Sequence, residues 1–284
     1  MKPGTLISAQ ELAQRMASGA VLVVDCRHDL GDLQRGAREY AQGHIPGAVY
    51  ADLHSDLADV SKTGLGRHPL PDAQAFSSVL SRWGWHAGLP VVAYDAANGA
   101  LAAARLWWML RLAGAHDVAV LDGGLAAWTA AGFALSREVP QRAPSQATVR
   151  FDATQIVYTP QLRQLQQNPQ IAIVDARAAP RYRGEVEPID PVVGHVPGAL
   201  NRPFSENLGA DGRFKPAAQL RAEFDALLGT RAPDQVIHMC GSGVTACHNL
   251  LAMEHAGLSG ARIYAPSWSG WISVPENPRA TGAD

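Results

Sequence analysis

Two stretches of similar sequence, "VLVVDCR" at residues 21–27 and "IAIVDAR" at residues 171–177, lie 150 residues apart. A second pair follows at nearly the same spacing, "GHIPGA" at 43–48 and "GHVPGA" at 194–199. Self-similarity that recurs in order at one spacing indicates repeated structural units. The sequence therefore predicts that a whole domain was duplicated.

The match continues through the later part of each copy. "VVAYD" at 91–95 corresponds to "VIHMC" at 236–240, and "DGGLAAW" at 122–128 corresponds to "APSWSGW" at 265–271. Within each copy, short apolar runs rich in Val and Ile alternate with longer stretches of helical period, which is typical of βα units on a parallel sheet. We predict an α/β fold of two tandem domains, each a parallel sheet flanked by helices.

A linker separates the copies. Residues 136–150, "SREVPQRAPSQATVR", carry two prolines and no apolar periodicity. We therefore predict domains at 1–142 and 150–284. "SAQE" at 8–11 has capping-box spacing before the first helix, and "TP" at 159–160 predicts an N-cap and a first-turn proline at the equivalent helix of the second copy.

Composition and charge exclude several classes of protein. The chain has 284 residues, 24 Lys and Arg against 26 Asp and Glu, and no basic run, so we expect no nucleic-acid partner. The N-terminus lacks an apolar signal segment, and Arg105 and Arg111 interrupt the most hydrophobic stretch. A cytoplasmic protein without membrane attachment is expected. Three cysteines without a CxxC motif argue against a disulfide framework and a metal site.

One cysteine stands in a distinctive loop, "HMCGSGVTACHN" at 238–249. Cys240 ends an apolar run, and a stretch of helical spacing follows, so the cysteine is predicted at a strand-to-helix turn. The residues around it are small or polar: Gly241, Ser242, Gly243 and Thr245. Backbone N–H groups that curl around one point, together with the positive end of a helix, stabilise a thiolate. Lone cysteines are usually core residues, as we interpret Cys26 and Cys247, but this loop favours a nucleophile.

A phosphatase loop would also hold a cysteine among backbone N–H groups. That chemistry needs an arginine six residues after the cysteine to bind the phosphoryl group, and the residue there is Ala246. A small transferred group, such as a single sulfur atom, fits the loop better.

Several motifs together resemble one known family. The tandem repeat, "CGSGVTAC" at 240–247, "WW" at 107–108, "RYRGEVEP" at 181–188, the GHxPGA pair and "DGGLAAW" are similar to the two-domain rhodanese superfamily, above all to its mercaptopyruvate sulfurtransferases. The resemblance runs from about Leu6 to Trp271. It implies that only the second copy is catalytic and that the first, with Asp95 in place of the cysteine, supplies part of the cleft wall.

The resemblance also implies a mechanism and partners. Cys240 would take sulfur from a small-molecule donor as a persulfide and pass it to an acceptor thiol, such as thioredoxin or glutathione, or to cyanide. No cofactor or metal is expected. The backbone amides expected to hold the persulfide are those of Gly241, Ser242, Gly243, Val244 and Thr245. Two alternatives stay open: a thiosulfate-preferring enzyme, and a non-catalytic sulfur-sensing or binding module.

Donor binding in this family relies on arginine. Arg181 matches the arginine that holds the carboxylate or sulfonate of the donor, a task suited to a planar guanidinium. The second arginine of the family pattern is replaced by Ile189, and Arg183 is the candidate substitute. Because Gly241 and Ser242 are neutral where thiosulfate enzymes carry basic side chains, we expect mercaptopyruvate to be the better donor.

A serine, a histidine and an acid work together in the family. Ser242 and His68 match the first two, whereas the acid position holds His54, so the full relay is not supported unless Asp52 or Asp56 compensates. His44 and His195 occur in both copies, which favours a structural turn contact over catalysis. The tryptophans are interpreted as packing residues, with a cleft-lining role open for the last two: Trp107, Trp108, Trp128, Trp268 and Trp271.

Overall fold

The computed structural model describes residues 5–19 and 21–283. These residues form two compact units. The first unit comprises Met1–Asp59, Leu70–Asp152 and Asp211–Arg213, and the second comprises Val60–Pro69, Ala153–Ala210 and Phe214–Asp284. The segment Val60–Pro69 therefore belongs to the second unit, although it lies within the first copy of the repeat.

The first unit contains a five-stranded parallel sheet with strand order β1-β5-β4-β2-β3. Its strands are β1 (Leu6–Ile7), β2 (Leu22–Asp25), β3 (Val49–Tyr50), β4 (Val91–Tyr94) and β5 (Val118–Leu121). Its helices are α1 (Ala9–Ser18), α2 (Arg35–Gln42), α3 (Ala73–Arg82), α4 (Ala103–Leu112) and α5 (Gly124–Ala130).

The second unit repeats this topology, with five parallel strands in the order β6-β10-β9-β7-β8. Its strands are β6 (Ile156–Val157), β7 (Ala172–Asp175), β8 (Leu200–Asn201), β9 (Val236–Met239) and β10 (Arg262–Tyr264). Its helices are α6 (Thr159–Leu165), α7 (Ala179–Tyr182), α8 (Ala217–Leu228), α9 (Ala246–His255) and α10 (Ser267–Trp271). The predicted fold, two domains that each hold a parallel sheet flanked by helices, is confirmed.

The burial of the central strands explains the continuous apolar runs in the sequence. Every residue of β2, β4, β7 and β9 is buried, because helices cover both faces of a parallel sheet and leave no solvent-exposed side. The five tryptophans named above are buried as well. Cys26 and Cys247 are fully buried, which confirms their interpretation as core residues.

The N-terminus of α1 agrees with the cap predicted from the sequence, whereas that of α6, the equivalent helix of the second copy, does not. In α1, the Glu11 N–H donates to Ser8 Oγ at 3.2 Å and the Ser8 N–H donates to the Glu11 carboxylate at 2.9 Å, so the capping box is confirmed. In α6 the N-cap is Tyr158 rather than the expected Thr159. The Thr159 hydroxyl instead hydrogen-bonds to the Tyr264 hydroxyl at 2.8 Å, because its side chain turns into the core.

The paired histidines are structural, as predicted. His44 Nδ1 lies 2.8 Å from the Tyr40 carbonyl oxygen, and His195 Nδ1 lies 2.8 Å from the Tyr182 carbonyl oxygen. Each imidazole also stacks on the ring of the same tyrosine. In residues 5–19 and 21–283, none of the helices combines the length and apolar character needed to span a bilayer.

Candidate active site

Cys240 lies directly after β9, in the turn that leads to α9. Its side chain is almost fully buried, and its Sγ accepts a hydrogen bond from the Gly243 N–H at 3.2 Å. Gly243 has φ +78°, a conformation that side chains disfavour, so a glycine is needed for this N–H to point back at the sulfur. Val244 and Thr245 complete the turn, and Thr245 is the N-cap of α9.

Residues at the turn between β10 and α10 form hydrogen bonds with the backbone of the cysteine loop. The Cys240 N–H donates to Ser267 Oγ at 3.1 Å, and Ser267 Oγ in turn donates to the Tyr264 carbonyl oxygen at 3.0 Å. The Trp268 N–H donates to the Cys240 carbonyl oxygen, and the Ser269 N–H donates to that of Gly241, both at 2.9 Å. Both backbone polar groups of Cys240 are therefore fixed by one turn.

The same position in the first copy holds a carboxylate. Asp95 follows β4 as Cys240 follows β9, and it is fully buried. Its oxygens accept five backbone N–H groups at 2.8 to 3.2 Å, from Ala97, Gly99, Leu101, Ala102 and Ala103. In the first copy, this strand-to-helix turn therefore directs its backbone N–H groups at one buried acidic side chain.

Ser242 and His68 meet in the second unit. His68 Nδ1 lies 2.8 Å from Ser242 Oγ, and both side chains are buried. Because His68 belongs to Val60–Pro69, its unit is that of Cys240.

The three residues considered for the acid position lie in the first unit. The rings of His54 and His28 are 5.0 Å apart. The Asp52 carboxylate accepts the N–H groups of His54 and Ser55, and Asp56 forms an ion pair with Arg82. The structure thus gives Asp52 and Asp56 partners of their own within that unit.

Arg181 lies at the cysteine loop. A methyl group placed on Gly241 would lie 3.5 Å from its Nη2 and 3.8 Å from its Nη1. The guanidinium is oriented by Glu187, at 2.7 Å, and by Asp190, at 3.3 Å. Arg183, the candidate second arginine, forms a surface ion pair with Glu185 at 2.6 Å.

A second arginine, which sequence reasoning missed, also reaches the loop. A methyl group on Gly241 would lie 2.9 Å from Nη2 of Arg67. Nη1 of the same guanidinium donates to Asp190. The only signal in the sequence was the position of Arg67 immediately before His68, in "GRHPLP". Ile189, by contrast, is an exposed apolar residue.

Two buried carboxylates balance these arginines. Burial alone would raise the pKa of Glu187, but hydrogen bonds from Arg181 and from the Asp190 and Ile189 N–H groups outweigh burial and hold that pKa below its usual range. Burial raises the pKa of Asp190, and the positive charge of Arg67 partly opposes the rise. The carboxylates thus fix the guanidiniums and offset their charge.

Arg177 is a buried arginine, and it has a counterpart in the first copy. It pairs with Asp175 at 2.6 Å and donates to the Gly194 carbonyl oxygen at 2.7 Å. Arg27 makes the same two contacts with Asp25 and Gly43. Since a copy without the cysteine keeps this arrangement, its role is to support the fold.

Comparisons with known proteins agree with this geometry. The profile of the rhodanese-like domain matches residues 8–131 and 159–273. A Pseudomonas aeruginosa protein named a probable 3-mercaptopyruvate sulfurtransferase is 49% identical over 99% of this chain and 100% of its own length. A Mycobacterium tuberculosis protein provisionally named thiosulfate sulfurtransferase SseB is 38% identical, over 98% of this chain and 97% of its own.

A solved structure has the same fold along nearly the whole chain. The crystal structure of SseA from Escherichia coli, described as a 3-mercaptopyruvate sulfotransferase with the rhodanese fold, superposes with a TM-score of 0.80 at 31% identity. The match covers 94% of this chain and 99% of that one. The domain profile matches both copies, and the relatives match nearly the whole chain. This chain therefore belongs to the rhodanese family, with a rhodanese-like domain in each half.

Proposed function

We propose that this protein moves a sulfur atom from 3-mercaptopyruvate to an acceptor through a persulfide on Cys240. The observation that carries the proposal is the hydrogen bond from the Gly243 N–H to Cys240 Sγ, in a turn where Arg67 and Arg181 both approach Gly241. The sulfurtransferase class itself is that of the full-length relatives.

The first step forms one sulfur–sulfur bond and breaks one carbon–sulfur bond. The Cys240 thiolate attacks the sulfur of mercaptopyruvate, and the electron pair of the broken bond stays on carbon as the enolate of pyruvate. The enolate carbon takes up a proton, which balances the proton lost from the Cys240 thiol. The products are pyruvate and a Cys240 persulfide.

We infer that Ser242 and His68 move that proton. Their hydrogen bond is 2.8 Å long, and Ser242 is only two residues from the nucleophile. A hydroxyl that is hydrogen-bonded to an imidazole can donate a proton to carbon while the imidazole replaces it. We assign to the pair the delivery of the proton to the enolate.

In the second step, an acceptor nucleophile attacks the outer sulfur of the persulfide. The sulfur–sulfur bond breaks, and Cys240 leaves as the thiolate that begins the next cycle. The acceptors that we propose are a thiol, such as thioredoxin or glutathione, or cyanide. Because the persulfide itself carries the sulfur, the scheme uses no cofactor, and the three free cysteines fit a cytoplasmic compartment.

A second candidate donor is thiosulfate, which the name of the Mycobacterium tuberculosis relative favours. The charge at the loop favours mercaptopyruvate. Two cations, Arg67 and Arg181, face two carboxylates, Asp190 and Glu187, so the cluster has little net positive charge for a compact dianion. A monoanion whose carboxylate is set apart from its sulfur suits two oriented guanidiniums better.

A donor comparison tests the proposal. We expect kcat/KM for mercaptopyruvate to exceed that for thiosulfate at the same acceptor concentration. Incubation with mercaptopyruvate alone should release pyruvate and add one sulfur atom to the Cys240 peptide, as measured by mass spectrometry. A higher kcat/KM for thiosulfate would contradict the donor assignment, and a protein that neither releases pyruvate nor gains sulfur would be the non-catalytic module.

A further inference from the structure

Ser269 connects two segments that are far apart in the sequence. Its N–H donates to the Gly241 carbonyl oxygen at 2.9 Å. Its Oγ accepts the Arg67 N–H at 3.0 Å, across 202 residues of chain. The backbone of Ser269 therefore binds the cysteine loop, while its side chain binds the segment Val60–Pro69.

This segment lies directly against the turn that contains Ser269. Gly66 has φ +86°, and a Cβ added to it would lie 2.4 Å from the Pro266 carbonyl oxygen and 3.0 Å from Ser269 Oγ. A Cβ added to Gly270 would lie 3.2 Å from the backbone nitrogen of Gly66. Two backbones that approach so closely leave no room for a side chain between them. The Ser269 hydroxyl is thus a direct polar contact between the segment and the turn.

His68 belongs to a closed ring of contacts that passes through Ser269. His68 Nδ1 lies 2.8 Å from Ser242 Oγ, and Ser242 directly follows Gly241. In the other direction, His68 directly follows Arg67, whose N–H donates to Ser269 Oγ. The hydrogen bond from the Ser269 N–H to Gly241 closes the ring. The imidazole is therefore held beside the cysteine loop from two sides, since hydrogen bonds to neighbouring groups restrict where a side chain can lie.

The first copy has an alanine at the position of Ser269. "DGGLAAW" at 122–128 corresponds to "APSWSGW" at 265–271, which places Ala126 opposite Ser269. A helix begins within this motif in both copies, α5 in the first and α10 in the second, so the helix forms without the hydroxyl. The copy that contains Cys240 has the hydroxyl, which indicates a role beside the cysteine loop rather than in the fold.

We propose that Ser269 is a positioning residue for proton delivery by His68 and Ser242. Its hydroxyl holds the segment Val60–Pro69 against the cysteine loop, and the docked segment keeps the His68 imidazole in contact with the Ser242 hydroxyl. Reacting groups have to stay within about 0.5 Å of their productive geometry, so a hydroxyl that only fastens the segment affects the rate. This inference rests on the proposed function, since it concerns the proton that the enolate of pyruvate takes up.

Amide hydrogen exchange tests the docking without turnover. In the full-length protein, Ser269→Ala removes the acceptor of the Arg67 N–H and keeps the backbone N–H of residue 269. We expect amide hydrogens in Val60–Pro69 to exchange about three- to tenfold faster, the change typical of one lost hydrogen bond, as measured by mass spectrometry of this peptide. The matched control is Ser273→Ala, because the Ser273 hydroxyl donates to the Gly270 carbonyl oxygen within its own turn, at 2.7 Å. Equal exchange in the two variants would overturn the proposal.

The single-turnover rate of pyruvate release tests the consequence for the reaction. Ser269→Ala should lower this rate about three- to tenfold at saturating mercaptopyruvate. Alkylation of Cys240 by iodoacetamide should keep its wild-type rate, because the hydrogen bond to Gly241 is retained. In a His68→Asn background, Ser269→Ala should lower pyruvate release no further, since the group that it positions is gone. An equal loss in that background, or slower alkylation of Cys240, would mean a general effect on the structure and would refute the positioning role.

The two proposals fail in different ways. If the wild-type protein releases no pyruvate from mercaptopyruvate, the proposed function is wrong, and the role in proton delivery falls with it whatever the exchange shows. If the wild-type protein turns over and Ser269→Ala releases pyruvate at the same rate, only the role of Ser269 is wrong. Circular dichroism of each variant shows whether a slower rate reflects unfolding.

Discussion

The hydroxyl of Ser267 accepts a hydrogen bond from the backbone N–H of Cys240, 27 residues earlier in the chain, at 3.1 Å. Ser267 makes this contact at φ +52°, a conformation that costs a non-glycine residue about 1 kcal/mol or more. The equivalent residue of the first copy is Gly124, at φ +57°. The copy that contains Cys240 thus has a strained serine where the other copy has a glycine.

Substitution of Ser267 separates the effect of its strained backbone from the effect of its hydrogen bond with Cys240. Ser267→Gly should leave the free energy of unfolding near the wild-type value, because relief of strain offsets the lost hydrogen bond, whereas Ser267→Ala should lose about 1–2 kcal/mol. Both should slow the release of pyruvate in a single turnover, since the Cys240 N–H loses its acceptor. Wild-type rates in Ser267→Gly would show that the hydroxyl has no part in positioning Cys240.

The nucleophile is tested by replacing each cysteine in turn. Cys240→Ser should abolish sulfur transfer, because Cys240 lies in the strand-to-helix turn and its sulfur accepts a backbone N–H. Cys26→Ser and Cys247→Ser should keep most of the activity, with some loss of stability, since each places a hydroxyl in the core. Sulfur found by mass spectrometry on Cys26 or Cys247 would contradict the assignment.

The Ser242 and His68 pair should behave as one unit. Ser242→Ala and His68→Asn should each lower kcat for pyruvate release, and the double variant should be little worse than either single variant, because each change breaks the same hydrogen bond. The measurement is a double-mutant cycle on the single-turnover rate. Losses that simply add would mean that the two residues act independently.

Asp95 should matter for stability rather than for chemistry. Asp95→Ala leaves five backbone N–H groups of a buried turn without their acceptor, so we expect the free energy of unfolding to fall by about 3 kcal/mol. Urea denaturation measures the loss, and kcat of the remaining folded protein should stay near wild type. A large fall in kcat with unchanged stability would reverse this prediction.

Acid sensitivity should depend on Glu223. Burial alone would raise its pKa, but hydrogen bonds from Arg202, Lys215 and Gln219 outweigh burial and lower it to about 2. A carboxyl group with a lowered pKa stabilises the fold above its ordinary value of 4.5, and this contribution is lost as the pH falls toward 2. Glu223→Gln should therefore show a shallower loss of stability between those pH values than the surface control Glu276→Gln, measured by urea titration.

The sequence by itself determined the fold and the strand-to-helix turn in which Cys240 lies. The Val- and Ile-rich runs at β2 and β7, repeated 150 residues apart, are sufficient to predict two parallel sheets, because burial on both faces imposes apolar runs directly. The glycines after Cys240 predict its turn, since positive φ at Gly243 is a local requirement. The sulfurtransferase class, inferred from family resemblance, is confirmed by the relatives.

Only the tertiary structure decided which side chains surround Cys240. Arg67 and Asp190 are 123 residues apart in sequence, and Ser267 reaches Cys240 across 27 residues. Periodicity and spacing report contacts within a few residues along a helix or strand, and they carry no information about which distant segment docks on a turn. Sequence spacing therefore indicates only residues close to Arg181 along the chain, whereas the docking of Val60–Pro69 brings Arg67 to Gly241.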